Sequence, residues 1–354
     1  MLKALLSSLR IKQWIKNFFV FIPLIFVKEF TDIGKVELTM MVFGIFCAVA
    51  SGIYLLNDIF DRKRDALHPT KKHRAIASGK LPVSIAAITS FILLGGGISA
   101  AFVLNPAVGG ILLGYALLQI SYSLLLKHLV IIDLLVISVG FVLRVFAGGL
   151  VIAVAISNWL LLVTFLLALL LATGKRIRET KTAGSTSRKV LENYTVSFLD
   201  SVTKIILPCV LLAYLFYTFQ ANQSPYFIFT TPIVVYGLLR YLMLIDGENA
   251  AESPTELLLT DKPLLASVFL WGISVIVILS LAGEISWKIF LRKLGWEFGL
   301  QSLWCKFGLG KMQGWEMLLF TLFLPEELLK AIGLATTEYF PLAAPLHSGV
   351  FCWR

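Results

Sequence analysis

Residues 36–65 read VELTMMVFGIFCAVASGIYLLNDIFDRKRD, and this stretch decides the fold. Its first part, residues 36–56, is almost entirely apolar and is as long as the about 20 residues that a helix needs to cross a bilayer. Asp58, Asp61 and Asp65 follow directly, and their spacing of three and four residues places them on one face of a helix. The stretch therefore predicts a membrane-spanning helix that carries three carboxylates where it leaves the membrane.

The whole chain shares the apolar character of this stretch. Of its 354 residues, 58% are hydrophobic and 15% are charged, and the mean hydropathy is +0.86. Soluble domains contain about 25% charged residues. Since lipid offers no partners for backbone groups, we predict an all-α, polytopic membrane protein with about nine transmembrane helices. The predicted segments are about 14–30, 36–56, 82–103, 106–125, 130–153, 157–173, 203–221, 227–245 and 265–283.

The distribution of charge predicts the orientation in the membrane. Most basic residues lie in loops 57–81 and 174–202, and the positive-inside rule places such loops in the cytoplasm. No small-residue cleavage site follows the first apolar segment, so we interpret it as a retained helix. These features predict a multi-pass protein of the plasma membrane whose charged loops face the cytoplasm. The net charge of +10 gathers in these loops, which favours a membrane surface over nucleic acid as the partner.

The last fifth of the chain breaks this pattern. Five of the eight tryptophans lie beyond residue 284, and the apolar run 315–324 is too short to span a membrane. We therefore divide the chain into a transmembrane domain, residues 1–283, and a C-terminal tail, residues 284–354. The composition of the tail is typical of an interfacial amphipathic segment, and no chemistry is assigned to it.

The aspartates at the end of the second predicted helix have two interpretations. Three carboxylates on one face repel each other unless a cation lies among them, and hard oxygen ligands suit Mg²⁺ bound to a substrate phosphate. The alternative is a solvated loop whose mixed charges form salt bridges. The helical register of the acids favours the metal. Basic residues that would take the remaining phosphate oxygens follow at Lys71, Lys72 and Arg74.

A second group of polar residues flanks the predicted turn between the fourth and fifth helices. Tyr122, Lys127 and Asp133 would contribute to the same site, or else Lys127 snorkels and Asp133 caps a helix at the interface. Arg144 lies eleven residues after Asp133, about three helical turns along, and so points the same way. A charge at that depth costs at least about 2.5 kcal/mol and faces a cavity or a partner. We expect Arg144 to bind an anionic substrate group or to pair with a buried carboxylate.

Two later loops carry charges of opposite sign. Loop 174–202 includes Lys175, Arg176 and Tyr194, and its clustered basic residues suit phosphates but would equally serve as topology signals. Loop 246–264 is acidic. Its carboxylates would either complete a second metal site or form salt bridges with loop 57–81.

At these residues the chain resembles the UbiA-type superfamily of intramembrane prenyltransferases, over about residues 5–283. The resemblance implies that the helices surround a cytoplasm-facing cavity. Asn57, Asp58, Asp61 and Asp65 match the first aspartate motif of that superfamily. Further stretches are similar to the branch of decaprenyl-phosphate phosphoribosyltransferases, namely LRIKQWIKN at 9–17, RKRDALHPTKKHRAIASG at 62–79, residues 122–144, Gly174-Lys175-Arg176 and SPTELLLTD at 253–261. The second aspartate motif of ordinary prenyltransferases is missing, and residues 174–190 are basic instead. This departure favours a donor other than a prenyl diphosphate.

The resemblance implies transfer of 5-phosphoribose from 5-phosphoribosyl diphosphate to a polyprenyl phosphate of the decaprenyl type, with release of diphosphate. It implies Mg²⁺ as the cofactor, held by Asn57, Asp58, Asp61 and Asp65. Catalytic roles fall to Asp58, Asp61, Lys127 and Arg144. Substrate contacts fall to Lys16, Asn57, Lys71, Lys72, Arg74, Tyr122, Lys127, Asp133, Arg144, Lys175, Arg176 and Tyr194.

Two other functions compete with this interpretation. A prenyltransferase of the same fold would move a prenyl group from a prenyl diphosphate to an aromatic or other small acceptor. A transporter would use Asp58, Asp61 and Arg144 as ion-coupling or substrate sites, although such sites usually lie near the membrane midplane. The expected partners are the two phosphorylated substrates and membrane lipid, without nucleic acid. The sequence leaves the oligomeric state open, a homo-oligomer included.

Overall fold

The computed structural model describes residues 1–67, 71–182, 194–220, 224–247 and 254–281. The predicted C-terminal tail, residues 284–354, lies outside these residues, and the domain division at residue 283 stays a prediction. Throughout the described part the regular structure is helical, without strands. The α-helices are α1 (Leu2–Ser8), α2 (Ile22–Phe26), α3 (Ile33–Phe60), α4 (Arg62–Ala66), α5 (Val83–Leu104), α6 (Pro106–Leu124), α7 (Ile132–Val151), α8 (Asn158–Thr182), α9 (Val196–Gln220), α10 (Thr231–Asp246), α11 (Pro254–Thr260) and α12 (Lys262–Leu281).

Eight helical segments in the described residues are long and apolar enough to cross a membrane. They are α3, α5, α6, α7, α8, α9, α12 and the segment Tyr226–Asp246, which includes α10. The prediction of an all-α, polytopic membrane protein is thereby confirmed. The count of nine spans and the cytoplasm-facing cavity stay predictions.

The first predicted segment, residues 14–30, differs from the expectation. It forms a 3₁₀-helix, Ile11–Phe21, followed by the five-residue helix α2. The backbone of Arg10, just before the 3₁₀-helix, is left-handed with φ of 53°. Trp14 Nε1 donates to Ser51 Oγ at 3.0 Å, and Ser51 Oγ donates to the Leu9 carbonyl at 2.9 Å. These contacts fix the N-terminal segment against the middle of α3.

The N-terminal segment also packs closely against α7. A Cβ atom at Gly148 would lie 2.0 Å from the carbonyl oxygen of Val20, so only glycine fits this contact. Val20 belongs to the largest buried cluster, which includes Phe46 of α3 and Tyr115 of α6. The beginning of the chain is therefore part of the helix bundle, and it brings Arg10 to Asp58 near the end of α3.

Helix α8 continues further than the sequence predicts. The predicted segment stops at residue 173, whereas the helix runs to Thr182 and includes Lys175 and Arg176. Lys175 and Glu179 form an i,i+4 ion pair, and lysine, arginine and glutamate are good helix formers. The polarity that ends the apolar run therefore does not end the helix. Residues 183–193 of the predicted loop lie outside the described residues.

Candidate active site

The three aspartates of the opening stretch form a carboxylate cluster, Asp58, Asp61 and Asp65, where α3 gives way to α4. The Asp61 amide donates to the Asn57 carbonyl and the Asp65 amide to the Asp61 carbonyl, at 2.9 and 2.8 Å, so helical register continues across the junction. Asp58 and Asp65 are buried, and Asp61 is partly buried. The half-buried Asn57 precedes them in the same turn.

Two arginines from different parts of the chain neutralise the buried members of this cluster. Arg10 Nη2 donates to Asp58 Oδ1 at 2.5 Å. Arg74 Nη1 lies 3.1 Å from the same Asp58 oxygen and 2.6 Å from Asp65 Oδ2. Sequence reasoning found Arg74 but assigned no role to Arg10, because its contact depends on the left-handed backbone and the docking of the N-terminal segment.

Asp61 has its own basic partners. Lys127 Nζ lies 3.0 and 3.2 Å from the two carboxylate oxygens, and Arg64 Nη2 lies 2.9 Å from Oδ2. Lys127 is 4% exposed, so its ammonium group is held inside the protein by this ion pair. This contact agrees with the expectation that Lys127 joins the aspartates in one site. It does not agree with the alternative, in which the Lys127 side chain snorkels into solvent.

The donor atoms of the carboxylate cluster fit Mg²⁺ in kind. Carboxylate oxygens, with the amide of Asn57 beside them, are the hard ligands that this ion takes. Among the described residues no group of three or more acidic, histidine or cysteine side chains is placed to enclose a metal. Each aspartate instead points to a basic side chain, so a metal would have to share the carboxylates with these cations.

A buried network lies beside the turn that carries Lys127. Arg176 Nε donates to Asp133 Oδ2 at 2.7 Å, and Arg176 Nη2 donates to the Tyr122 hydroxyl at 3.0 Å. Arg176 also pairs with Glu179, one turn further along α8. Asp133 and Arg176 are essentially inaccessible to solvent. Their charges are therefore used within the protein and tie α6, α7 and α8 together.

Tyr194 completes this network from the segment before α9. Its hydroxyl donates to Asp133 Oδ1 at 2.7 Å and accepts the Ile131 amide at 2.6 Å. Burial and the hydrogen bond to Asp133 raise the pKa of Tyr194, which keeps the hydroxyl protonated. Ile131 has φ of 69°, a strained conformation for a β-branched residue. The hydrogen bond from Tyr194 therefore holds the turn between Lys127 and α7.

Arg144 has no carboxylate partner among the described residues. Its Nε donates to Asn17 Oδ1 at 2.8 Å, Nη1 to the Gly140 carbonyl at 2.6 Å and Nη2 to the Tyr115 hydroxyl at 2.7 Å. Arg144 was expected either to bind an anionic substrate group or to pair with a buried carboxylate, and the described residues show no such pair. An anion-binding role stays a prediction.

The remaining basic candidates differ in their surroundings. Lys16 is half-buried, and burial, followed by the charges of Arg144 and Arg10, lowers its pKa to about 8. Lys71 and Lys72 lie in the short 3₁₀-helix Lys71–His73 that precedes Arg74, with Lys72 exposed.

Two acids of the acidic loop, Asp246 and Asp261, pair with residues other than those expected. Asp246 pairs with Lys181 at the end of α8, at 2.6 Å. Asp261 pairs with Arg240 of α10, also at 2.6 Å, and hydrogen bonding from Arg240 lowers the pKa of Asp261. These two acids therefore bind neither loop 57–81 nor the carboxylate cluster. Glu248 and Glu252 lie outside the described residues.

Comparison with known proteins supports the resemblance drawn from the motifs. Residues 18–273 match the UbiA prenyltransferase family. A decaprenyl-phosphate phosphoribosyltransferase of Corynebacterium glutamicum is 33% identical over 288 residues, covering 77% of this chain and 86% of that protein. One from Mycolicibacterium smegmatis is 31% identical over 290 residues, covering 77% and 91%.

A solved structure shows the same fold. A UbiA homologue from Archaeoglobus fulgidus, bound to GPP and Mg²⁺, aligns with a TM-score of 0.61 at 17% identity, over 78% of this chain and 99% of that one. The family match extends over most of the chain and includes the carboxylate cluster, Lys127 and Arg144. The chain therefore belongs to the UbiA prenyltransferase family and is a membrane transferase.

Proposed function

We propose that this transferase moves 5-phosphoribose from 5-phosphoribosyl diphosphate to a polyprenyl phosphate, with Mg²⁺, and releases diphosphate. The observation that carries the proposal is the carboxylate cluster, whose three acids face four basic side chains at one end of α3. Such a site suits a metal–diphosphate group. The names of the two curated relatives support the choice of donor and acceptor. The UbiA homologue bound to GPP and Mg²⁺ supports the use of a metal.

The basic side chains of the cluster bind and orient the donor. Arg10 and Arg74 lie beside Asp58, where their N–H groups reach oxygens of a diphosphate placed over the carboxylates. Asn57 and the three aspartates would hold Mg²⁺, which would neutralise the charge that develops on the departing diphosphate. Lys71, Lys72 and Lys175 are the further basic side chains that we place around the phosphates.

The acceptor requires no strong base. Its phosphate is already an anion, and one of its oxygens forms the new bond to C1 of the ribose while the bond from C1 to the diphosphate oxygen breaks. Lys127, held against Asp61, is placed to orient the two phosphorylated groups relative to each other. The isoprenoid tail would remain in lipid between the helices.

The buried network acts through Lys127. Asp133, Arg176 and Tyr194 are each buried, and Arg176 and Tyr194 both donate to Asp133. Their burial favours a positioning role over the direct substrate contact that the resemblance implies. We place the site at the cytoplasmic face of the plasma membrane, because the basic loop 57–81 surrounds it.

Transfer of radiolabel from 5-phosphoribosyl diphosphate to polyprenyl phosphate tests this function. The purified protein is assayed with Mg²⁺ or with EDTA, next to Asp61→Asn. Asp200→Asn is a matched control, since it removes a carboxylate from an exposed i,i+4 ion pair on α9. We expect labelled lipid only with Mg²⁺, with loss of activity in Asp61→Asn and none in Asp200→Asn.

A different substrate profile would overturn the assignment. If the wild-type protein transfers no phosphoribose but converts a prenyl diphosphate and an aromatic acceptor, the protein is a prenyltransferase. If labelling persists unchanged in EDTA and in Asp61→Asn, the carboxylate cluster is not the reaction site.

A further inference from the structure

Two basic side chains on the membrane side of the carboxylate cluster are not neutralised by any described carboxylate. They are Lys16, in the N-terminal 3₁₀-helix, and Arg144, in α7. Arg10, Arg64, Arg74 and Lys127, by contrast, each pair with an aspartate of the carboxylate cluster. The charges at the carboxylate cluster are therefore balanced, whereas Lys16 and Arg144 carry positive charge that no described carboxylate balances.

Arg144 is enclosed and yet retains unused donors. It is 5% exposed, and the rings of Tyr115, Phe141 and Phe46 lie 4.7, 5.4 and 5.7 Å from its guanidinium carbon. Its three hydrogen bonds go to uncharged oxygens, whereas a guanidinium group has five N–H donors. A buried charge without a counter-ion is strongly unfavourable, so an anion brought to this position would be bound tightly.

Lys16 links Arg144 to the carboxylate cluster. Lys16 belongs to the N-terminal segment that contacts both sites, since Arg10 of this segment is bonded to Asp58. The neighbouring residue, Asn17, accepts the hydrogen bond from Arg144. The segment that carries Arg10 and Lys16 therefore extends from the carboxylate cluster to Arg144.

We propose that Lys16 and Arg144 bind the 5-phosphate of the donor while its diphosphate lies at the carboxylate cluster. This inference rests on the proposed function and assigns donor selectivity to these two residues. A donor with phosphates at both ends of one sugar can bind with its diphosphate at the carboxylate cluster and its other phosphate at Lys16 and Arg144. A prenyl diphosphate would instead push an apolar tail against two uncompensated cations.

The surroundings of Arg144 favour the donor over the acceptor as the source of this phosphate. Phe46, Tyr115 and Phe141, from α3, α6 and α7, enclose the guanidinium group, and such a site suits a small group. The phosphate of a polyprenyl lipid carries a long chain that must pass outward into the membrane. The acceptor phosphate is therefore bound elsewhere, nearer to Lys127.

Two variants test the proposal and keep the oxygen acceptor of Arg144, although Asn17→Asp loses the hydrogen bond from Asn17 Nδ2 to Cys47 Sγ. Lys16→Met keeps the length of a half-buried side chain that has no described hydrogen-bond partner. Asn17→Asp keeps an oxygen acceptor for Arg144 but supplies a carboxylate that neutralises it. Lys12→Met removes an exposed charge from the same 3₁₀-helix and serves as the control.

The measurements are the KM for each substrate and inhibition by ribose 5-phosphate. For Lys16→Met and Asn17→Asp we expect the donor KM to rise about 10- to 100-fold, the value for one lost charge-assisted contact, with the acceptor KM unchanged. Inhibition by ribose 5-phosphate should weaken by a similar factor, whereas inhibition by diphosphate should not. Lys16→Arg should restore the donor KM, and Lys12→Met should leave all these values unchanged.

The outcomes that contradict the proposal are distinct. A rise in the acceptor KM alone assigns this phosphate site to the lipid. Unchanged KM values in both variants show that the two cations bind no substrate phosphate. If the wild-type protein does not use 5-phosphoribosyl diphosphate at all, the proposed function fails and this inference falls with it.

Discussion

Replacing Tyr194 with phenylalanine removes one oxygen atom and two hydrogen bonds, one buried and one partly buried. The Ile131 amide loses its acceptor at 2.6 Å, and Asp133 loses a donor at 2.7 Å. An unsatisfied buried amide costs about 1–3 kcal/mol, and a hydrogen bond to a charged group contributes about 1.5–3 kcal/mol. Because the two effects share one hydroxyl and are not additive, we expect the free energy of unfolding to fall by about 2–4 kcal/mol.

Activity should fall as well, for a reason separate from stability. The left-handed conformation of Ile131 costs about 1–3 kcal/mol and persists only while its surroundings enforce it. When the hydroxyl is lost, the turn from Lys127 to α7 relaxes, and Lys127 loses its alignment with Asp61. We therefore expect kcat to fall at least about tenfold while the protein remains folded at assay temperature.

Thermal unfolding in detergent and steady-state kinetics measure the two effects. Tyr236→Phe is the matched control, since Tyr236 is 50% exposed and removal of its hydroxyl should leave both quantities unchanged. A Tyr194→Phe protein with wild-type stability would show that the network contributes nothing to the fold. Lower stability with unchanged kcat would show that it does not position Lys127.

Three further predictions concern charge and packing. Because burial lowers the pKa of Lys16 to about 8 and only the protonated side chain attracts a phosphate, kcat/KM for the donor should fall as the pH rises through about 8. Lys16→Arg should abolish this fall, and a pH profile unchanged by that substitution would contradict the role of Lys16. Asp61→Asn should lower the free energy of unfolding by about 2–4 kcal/mol because it removes the charge facing buried Lys127, and adding Lys127→Met should recover at least half of this loss in denaturant titrations. Gly148→Ala should greatly reduce the yield of folded protein in size-exclusion chromatography, because its Cβ would overlap the Val20 carbonyl; normal yield would mean that the N-terminal segment is not packed there.

The features that could be predicted from sequence are those set by local periodicity. Asp58, Asp61 and Asp65 share a helical register because their spacing is three and four residues, and the structure keeps this register through the junction of α3 and α4. Apolar runs of sufficient length likewise identified the spanning helices. Neither inference requires knowledge of distant contacts.

The features that could not be predicted depend on contacts between distant residues. Arg10 and Asp58 are 48 residues apart, and nothing in the local pattern of either indicates their contact. Arg176 follows an apolar run and suggested a phosphate ligand, but Asp133, 43 residues earlier, takes up its charge. A basic residue near a membrane surface has many possible partners, and only the packing of the helices selects one.

The contact between Asn17 and Arg144 has a consequence for biosynthesis. The two residues are 127 positions apart, so the start of the chain leaves the ribosome well before α7 is made. During insertion, the arginine side chain enters the bilayer before Asn17 docks against it, which costs about 2.5–3.5 kcal/mol. The N-terminal segment can dock only afterwards, since Val20 packs against Gly148 of that same helix. The proposed phosphate site at Lys16 and Arg144 is therefore completed late, when the first residues synthesised meet a helix inserted long after them.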